Sequence, residues 1–332
     1  MTDISADPGG LDGLDPAGLG PGGLGPGELG PGGLGPGGLG PGGSLAPVGA
    51  VAVAAPTLRA QTRWRLLLRR PTFLVGAGIL LFWVVCALFG HAFAPDNPLA
   101  QQLLSANTPP SGSHWFGTDP LGRDVLSRII VGARDILVIT PLATVLGTIL
   151  GTALGLAMGY LGGAVDLIAG RIVEAVLALP AVIIAFLFIV ALGPSTTTLI
   201  IVIGFIFTPL IARTVRAAVL TERNLDYLSA ARLLGENPVR IMFREILPNV
   251  MPAILVEFTV RLGYAVFAVA TLSFLGFGVQ PPTPDWGSDI AANYSGLLAG
   301  YWWQTLFPAL AIASLVTSVN LITDSIEQVL NA

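Results

Sequence analysis

Six predominantly apolar stretches run along the chain, at about residues 71–92, 136–160, 172–192, 196–212, 250–277 and 298–323, and most of the charge lies between them. The first is uncharged from Pro71 to Gly90, and about 20 residues rising 1.5 Å each cross the ~30 Å hydrocarbon layer. The pattern predicts an all-α integral membrane protein, a six-span helical bundle. It leaves two connecting segments on one side, about 93–134 and 278–297, and a polar loop of about 213–249 on the other.

Charge orients this bundle. Arg59, Arg63, Arg65, Arg69 and Arg70 precede the first span, Arg171 lies at the third, and Arg213, Arg216, Arg223, Arg232, Arg240 and Arg244 fall in the 213–249 loop. The opposite segments hold only Arg123, Arg128 and Arg134. The arginine-rich side is expected to be cytoplasmic, and an even number of crossings places both termini there. Composition agrees, since 53% hydrophobic and 11% charged residues exceed what a soluble core and surface accommodate.

Residues 1–58 stand apart. Pro21, Pro26, Pro31, Pro36 and Pro41 mark a five-residue Pro-Gly-Gly-Leu-Gly-like repeat, whose period excludes collagen and whose Gly and Pro content opposes packing. A disordered cytoplasmic tail is expected there, with the membrane domain over 59–332. The tail's five acids, Asp3, Asp7, Asp12, Asp15 and Glu28, account for the net charge of −4, so the charge says nothing of nucleic acid.

Several chemistries are excluded. All 16 basic residues are arginine, so there is no P-loop lysine and no Schiff-base lysine. The lone Cys86 permits no internal disulfide, and it reads as a small buried hydrophobe. His91 and His114 lie far apart in sequence, with no second ligand type grouped beside either, so no metal site is expected. No zinc-protease, serine-hydrolase or paired intramembrane aspartate motif is present, and no catalytic residue is assigned.

The loop from Asn224 to Ala253 is too polar to span. Asp226 is placed to cap a helix through Leu234, Gly235 suits the left-handed position that ends it, and Asn237–Pro238 starts another. Leu225, Leu228, Ala231 and Leu234 form an apolar stripe with Arg232 to one side. Such a stripe is covered either by a partner protein or by the lipid interface.

The stretch SAARLLG, followed nine residues later by EILPN, resembles the EAA loop of ABC importer permeases, whose consensus is E-A-A-x-x-x-G and, downstream, I-x-L-P. Ala230, Ala231, Gly235, Leu247 and Pro248 match it, whereas Ser229 replaces the first glutamate and Glu245 takes the isoleucine position. The resemblance implies a helix-turn-helix that docks in a cleft of an ATPase subunit and passes on its nucleotide-driven motion. ATP and Mg would then be bound by partner subunits, with no cofactor on this chain.

Two further motifs resemble the dipeptide and oligopeptide branch, its C-type subunit in particular: HWFGTDPLGRDVLSR from His114 and LSFLGFGVQPPTPDWG from Leu272. Asp119 before Pro120 reads as a helix start, and Asp124 and Arg128 as an i,i+4 pair. Asp119, Arg123, Asp124, Arg128, Pro282 and Trp286 are the outer-face candidates, the proline-rich loop serving either as a docking surface for a binding protein or as a rigid turn. Glu257 and Arg261 fall within the fifth span at i,i+4, either lining a cavity or pairing at a subunit boundary. Glu174 reads as a residue favoured at the N-terminus of the third span.

These resemblances imply an inner-membrane permease of an ATP-driven importer of di- or oligopeptides, working with a second, homologous permease, two ATPase subunits and an extracytoplasmic binding protein. Nickel, haem, glutathione or opine transport remains an alternative within the class. An ion-coupled secondary transporter is a more remote one, because few midplane ionisable residues are present.

Overall fold

In the computed structural model of the protein the described residues are Leu67 and 70–330; the expected tail over 1–58 and most of the arginines before the first span lie outside them. The helices are α1 (Pro71–Phe93), α2 (Val125–Leu161), α3 (Gly163–Leu177), α4 (Ala181–Leu192), α5 (Thr196–Glu222), α6 (Asp226–Leu233), α7 (Pro238–Arg240), α8 (Leu247–Phe274), α9 (Trp286–Asn293) and α10 (Trp303–Leu330). Among the described residues five helical spans are long and apolar enough to cross a membrane, six if the bent pair α3–α4 counts as one.

The third span departs from the straight helix expected over 172–192. It is two helices meeting at 91°, broken before Pro180, which supplies no amide donor and disfavours helical backbone in the residue before it. Glu174 consequently sits in the last turn of α3 rather than the first, where Arg171 reaches it at 3.0 Å. The second and fourth spans are longer than their apolar runs because helix formation does not stop where hydrophobicity does: α2 starts at Val125 and α5 continues to Glu222. The last begins later than expected, at Trp303, after a 3₁₀ segment, Tyr294–Ala299, and left-handed Gly300.

The bundle is organised on α2 and α5. Gly147, Gly151, Gly155 and Gly159 recur every fourth residue on α2, and a Cβ at the last three would come within 2.7 Å of Ile211, Val215 or Val219 of α5. Helices in lipid gain little from the hydrophobic effect against one another, so close backbone approach along such a stripe supplies the packing. The stripe is legible in the sequence as glycine at four-residue spacing.

Two proline-directed features shape α8. Pro248 has no N–H to return to the Arg244 carbonyl, and just ahead of it the ladder widens to a π segment, Ile241–Ile246, with the Leu247 N–H donating to Met242 O. The run from Pro238 to Phe274 is therefore continuous. At its far end the Gly276 N–H bonds Ser273 O and the Phe277 N–H bonds Leu272 O, a Schellman closure that stops the helix short of the expected residue 277.

Candidate functional site

At one end of the bundle α6 and α7 form the anticipated helix-turn-helix. Its turn is set by Gly235 at φ +74°. The Gly235 N–H bonds Arg232 O and the Glu236 N–H bonds Ala231 O, which satisfies carbonyls the helix would otherwise leave open. Asn237 caps α7 by accepting from the Val239 N–H at 2.9 Å. Asp226 does not cap α6: Leu225 holds that position without a side-chain bond, and Asp226 lies in the first turn.

The stripe is only partly covered. Leu228 is fully buried and Ala231 half-buried, whereas Leu233 and Leu234 are 89% and 82% exposed at the tip. Ser229, Ala230 and Gly235 are exposed beside them, Glu245 and Leu247 are half-buried, and Pro248 is exposed. Arg232 lies over the Tyr160 ring at 5.1 Å, fixing α6 to the end of α2. Tyr227 donates to Glu222 and accepts from Asn249 at 2.8 Å. Partial burial and the Glu222 bond push its phenol up to about 12.

At the opposite end residues 94–124 fold onto α2 and α10. Asp119 is not a helix start. Its carboxylate accepts from the Leu121 and Arg123 amides at 2.9 and 2.8 Å and pairs with the Arg123 guanidinium, closing a turn whose Gly122 lies against the Gln102 carbonyl. The helix start belongs to Asp124, which accepts from Ser127 N at 2.8 Å and Ser127 Oγ at 2.7 Å.

Arg128 does not pair with Asp124 as the i,i+4 spacing predicts. It is buried and donates from Nε and Nη2 to the carboxylate of Asp289 on α9, Nε lying 3.1 Å from each oxygen, and from Nη1 to Pro98 O. A distant carboxylate in fork geometry offers two parallel bonds, whereas Asp124 is already engaged as a cap. Asp289 was legible only as an acid in the 278–297 loop, which proves to contain a helix.

Trp286 is fully buried and donates to Ile129 O at 2.9 Å, with its ring against Gly132. It is therefore a lock between α9 and α2 and not part of a docking surface, because the tryptophan fills a gap that only a glycine leaves open. Pro282 does lie exposed. Gln304 and Trp303 both donate to Thr118 O, at 2.9 and 3.1 Å, fastening this collar to α10.

His114 has neighbours that the sequence did not group with it: its Nδ1 lies 3.2 Å from Asp124 and 3.6 Å from Asp96. The three ligand atoms fall within 4.8 Å of one another. Asp124 caps α2 through Oδ2 and turns Oδ1 to His114, and the Asp96 N–H donates to Ser127 Oγ.

Between the two ends, Arg261 and Glu257 form the expected pair, Nε to Oε1 at 2.7 Å, and Thr214 of α5 donates to the other carboxylate oxygen at 3.2 Å. Arg261 also lies 5.5 Å from the Tyr264 ring and lines a cavity of about 280 Å³ between α4, α5 and α8 whose other walls are almost wholly apolar.

Residues 151–332 match the model of the binding-protein-dependent transport system inner membrane component family, and residues 59–110 that of the N-terminal transmembrane domain of oligopeptide transport permease C. The dipeptide transport system permease protein DppC of Bacillus subtilis is 36% identical over 85% of this chain and 88% of its own length. DppC of Escherichia coli is 37% identical over 85% and 95%. The di/tripeptide permease DppC of Pseudomonas aeruginosa is 38% identical over 81% and 90%. Among solved structures, the MetNI methionine ABC transporter in its inward-facing conformations superposes with a TM-score of 0.50 at 20% identity, over 61% of this chain and 96% of that one, a likeness of fold. With a glycine-turned helix pair at one end, a clamped collar at the other and membrane-length helices between, the chain belongs to the binding-protein-dependent transport system inner membrane component family, as a multi-pass permease component.

Proposed function

We propose that this permease carries di- or oligopeptides inward, coupled to ATP hydrolysis on separate subunits. The observation that carries the coupling is the α6–Gly235–α7 peg, whose Leu233 and Leu234 are exposed at its tip. A partner cleft that closes on nucleotide binding would grip this tip differently in two states, and such a difference in contact energy is what shifts a transporter between inward- and outward-open forms. Ser229, Ala230, Ala231, Arg232 and Gly235 on the peg, and Glu245, Leu247 and Pro248 just after it, are assigned to the coupling loop, a reading their position supports.

The relatives' names support a peptide cargo. The Arg261–Glu257 pair supports a path beside α8, since an ion pair halfway along a membrane helix faces protein or water in preference to lipid. A second permease, two ATPase subunits carrying ATP and Mg, and an extracytoplasmic binding protein complete the system, with the peg and both termini in the cytoplasm. The collar around Asp119, Arg123 and Pro282 then faces the binding protein.

Reconstitution of the co-purified complex in vesicles tests this reading. ATP-dependent uptake of a labelled dipeptide is expected, with no uptake driven by an ion gradient alone. Gradient-driven uptake by the chain without ATPase subunits would overturn it, as would labelling of a cysteine placed at Leu233 from outside intact cells.

A further inference from the structure

A second cavity, of about 300 Å³, opens between α2, α3 and α5 near the end of the bundle that carries the peg. It shares no lining residue with the Arg261 cavity. Arg171, Arg213 and Arg216 reach it, with Asp166 and Glu174. Arg216 is taken by Asp166 through Nε and Nη2, the latter at 2.6 Å, and Arg171 by Glu174 at 3.0 Å. Arg213 is exposed and has no ion-pair partner among the described residues, which leaves the cavity one uncompensated guanidinium.

Depth decides what this cation meets. On α5 the uncharged run ends at Ala212, and Arg213 is the first charge after it, which is where a membrane helix leaves the acyl layer. Met158, in the last turn of α2, lines the cavity beside it. The site therefore opens where lipid phosphates lie, and its guanidinium has the geometry to bond two phosphate oxygens at once. On α3, Leu167 lines the cavity and Ile168 and Ile172 lie beside it, all exposed. A soluble phosphate has no use for such a flank, whereas the acyl chains of a lipid cover it.

We propose that this cavity binds a phosphate group, with Arg213 as its anchor, and that the phosphate belongs to the headgroup of an anionic phospholipid lying along α3. Basic pockets between membrane helices attract such headgroups. The proposal needs neither the peptide nor the coupling reading.

The test is native mass spectrometry of the full chain with its co-purifying subunits, taken from nanodiscs of phosphatidylcholine with and without phosphatidylglycerol. Retained phosphatidylglycerol is expected to weaken about fivefold in Arg213→Gln, the effect of one interfacial arginine, and to be largely kept in Arg213→Lys. Leu167→Glu, on the exposed flank, is a second variant that leaves the arginines in place and is also expected to lower retention. Equal retention by wild type, Arg213→Gln and Leu167→Glu overturns the site. Labelled inorganic phosphate in phosphatidylcholine nanodiscs separates the sources: Arg213-dependent binding there, undisplaced by phosphatidylglycerol, overturns the lipid assignment.

Discussion

Arg128 and Asp289, 161 positions apart, form a buried ion pair in which Nε contacts both carboxylate oxygens at 3.1 Å. It ties the first turn of α2 to α9, and Trp286 on the same short helix locks to Ile129 one residue further along. The end of the bundle opposite the peg is thus held by long-range bonds between segments that are polar in sequence.

Removing one partner strands the other charge in a buried site. Arg128→Leu and Asp289→Leu are each expected to destabilise the protein by about 3–5 kcal/mol, and the double substitution by less than either one. Thermal unfolding in detergent measures this, and losses that simply add would contradict the pairing.

Gly151 tests the α2–α5 seam. A side chain there meets Ile211 Cβ at 2.7 Å and the Thr208 carbonyl at 2.9 Å, backbone and branched atoms that cannot swing away. Gly151→Leu is expected to separate the helices and abolish recovery of folded protein by size-exclusion chromatography. Gly78, where a Cβ meets nothing within 4 Å, tolerates alanine and serves as the control.

Gly235 is the converse case. Nothing lies within 4 Å of a Cβ built there, but its φ is +74°. Gly235→Val therefore acts through backbone conformation alone. Loss of ATP-dependent uptake with unchanged membrane insertion is expected, and normal uptake would exclude the turn from coupling.

The tip of the peg separates docking from support. Leu233→Asp with Leu234→Asp, at exposed positions, is expected to cut recovery of the ATPase subunits in pull-downs at least tenfold, about 1.4 kcal/mol. Arg232→Glu loses its place over Tyr160 and weakens recovery through a loosened α6, so Arg232→Lys should restore part of it. Full recovery with the double aspartate variant would place the ATPase contact elsewhere.

Tyr227 adds a pH dependence. Its phenol rises from 10 to about 12 through burial and its bond to Glu222, so the folded state favours the protonated form. Its stabilising contribution is whole below the unfolded value and is lost as pH climbs from 10 through about 12. Absorbance titration of tyrosinate, compared with Tyr227→Phe, reads the shift directly; a Tyr227 that ionises at its ordinary value would remove the bond's contribution.

The sequence alone determined what depends on neighbours along the chain. Apolar length marked the spans, and Gly235 with Asn237–Pro238 specified the turn and restart of the peg, because caps and left-handed positions are local chemistry. Glu257 and Arg261 pair as their spacing implies, since one helix carries both. Spacing failed where a distant group offered more. Arg128 left Asp124 for Asp289 because the latter presents two free oxygens and the former already caps α2. Trp286 became a buried lock because Gly132, far away in sequence, leaves room for its ring. The bend at Pro180 and the cavity around Arg213 likewise belong to the tertiary structure: a proline marks where a helix can break, but only the packed bundle decides the angle and which charges are brought to face one another.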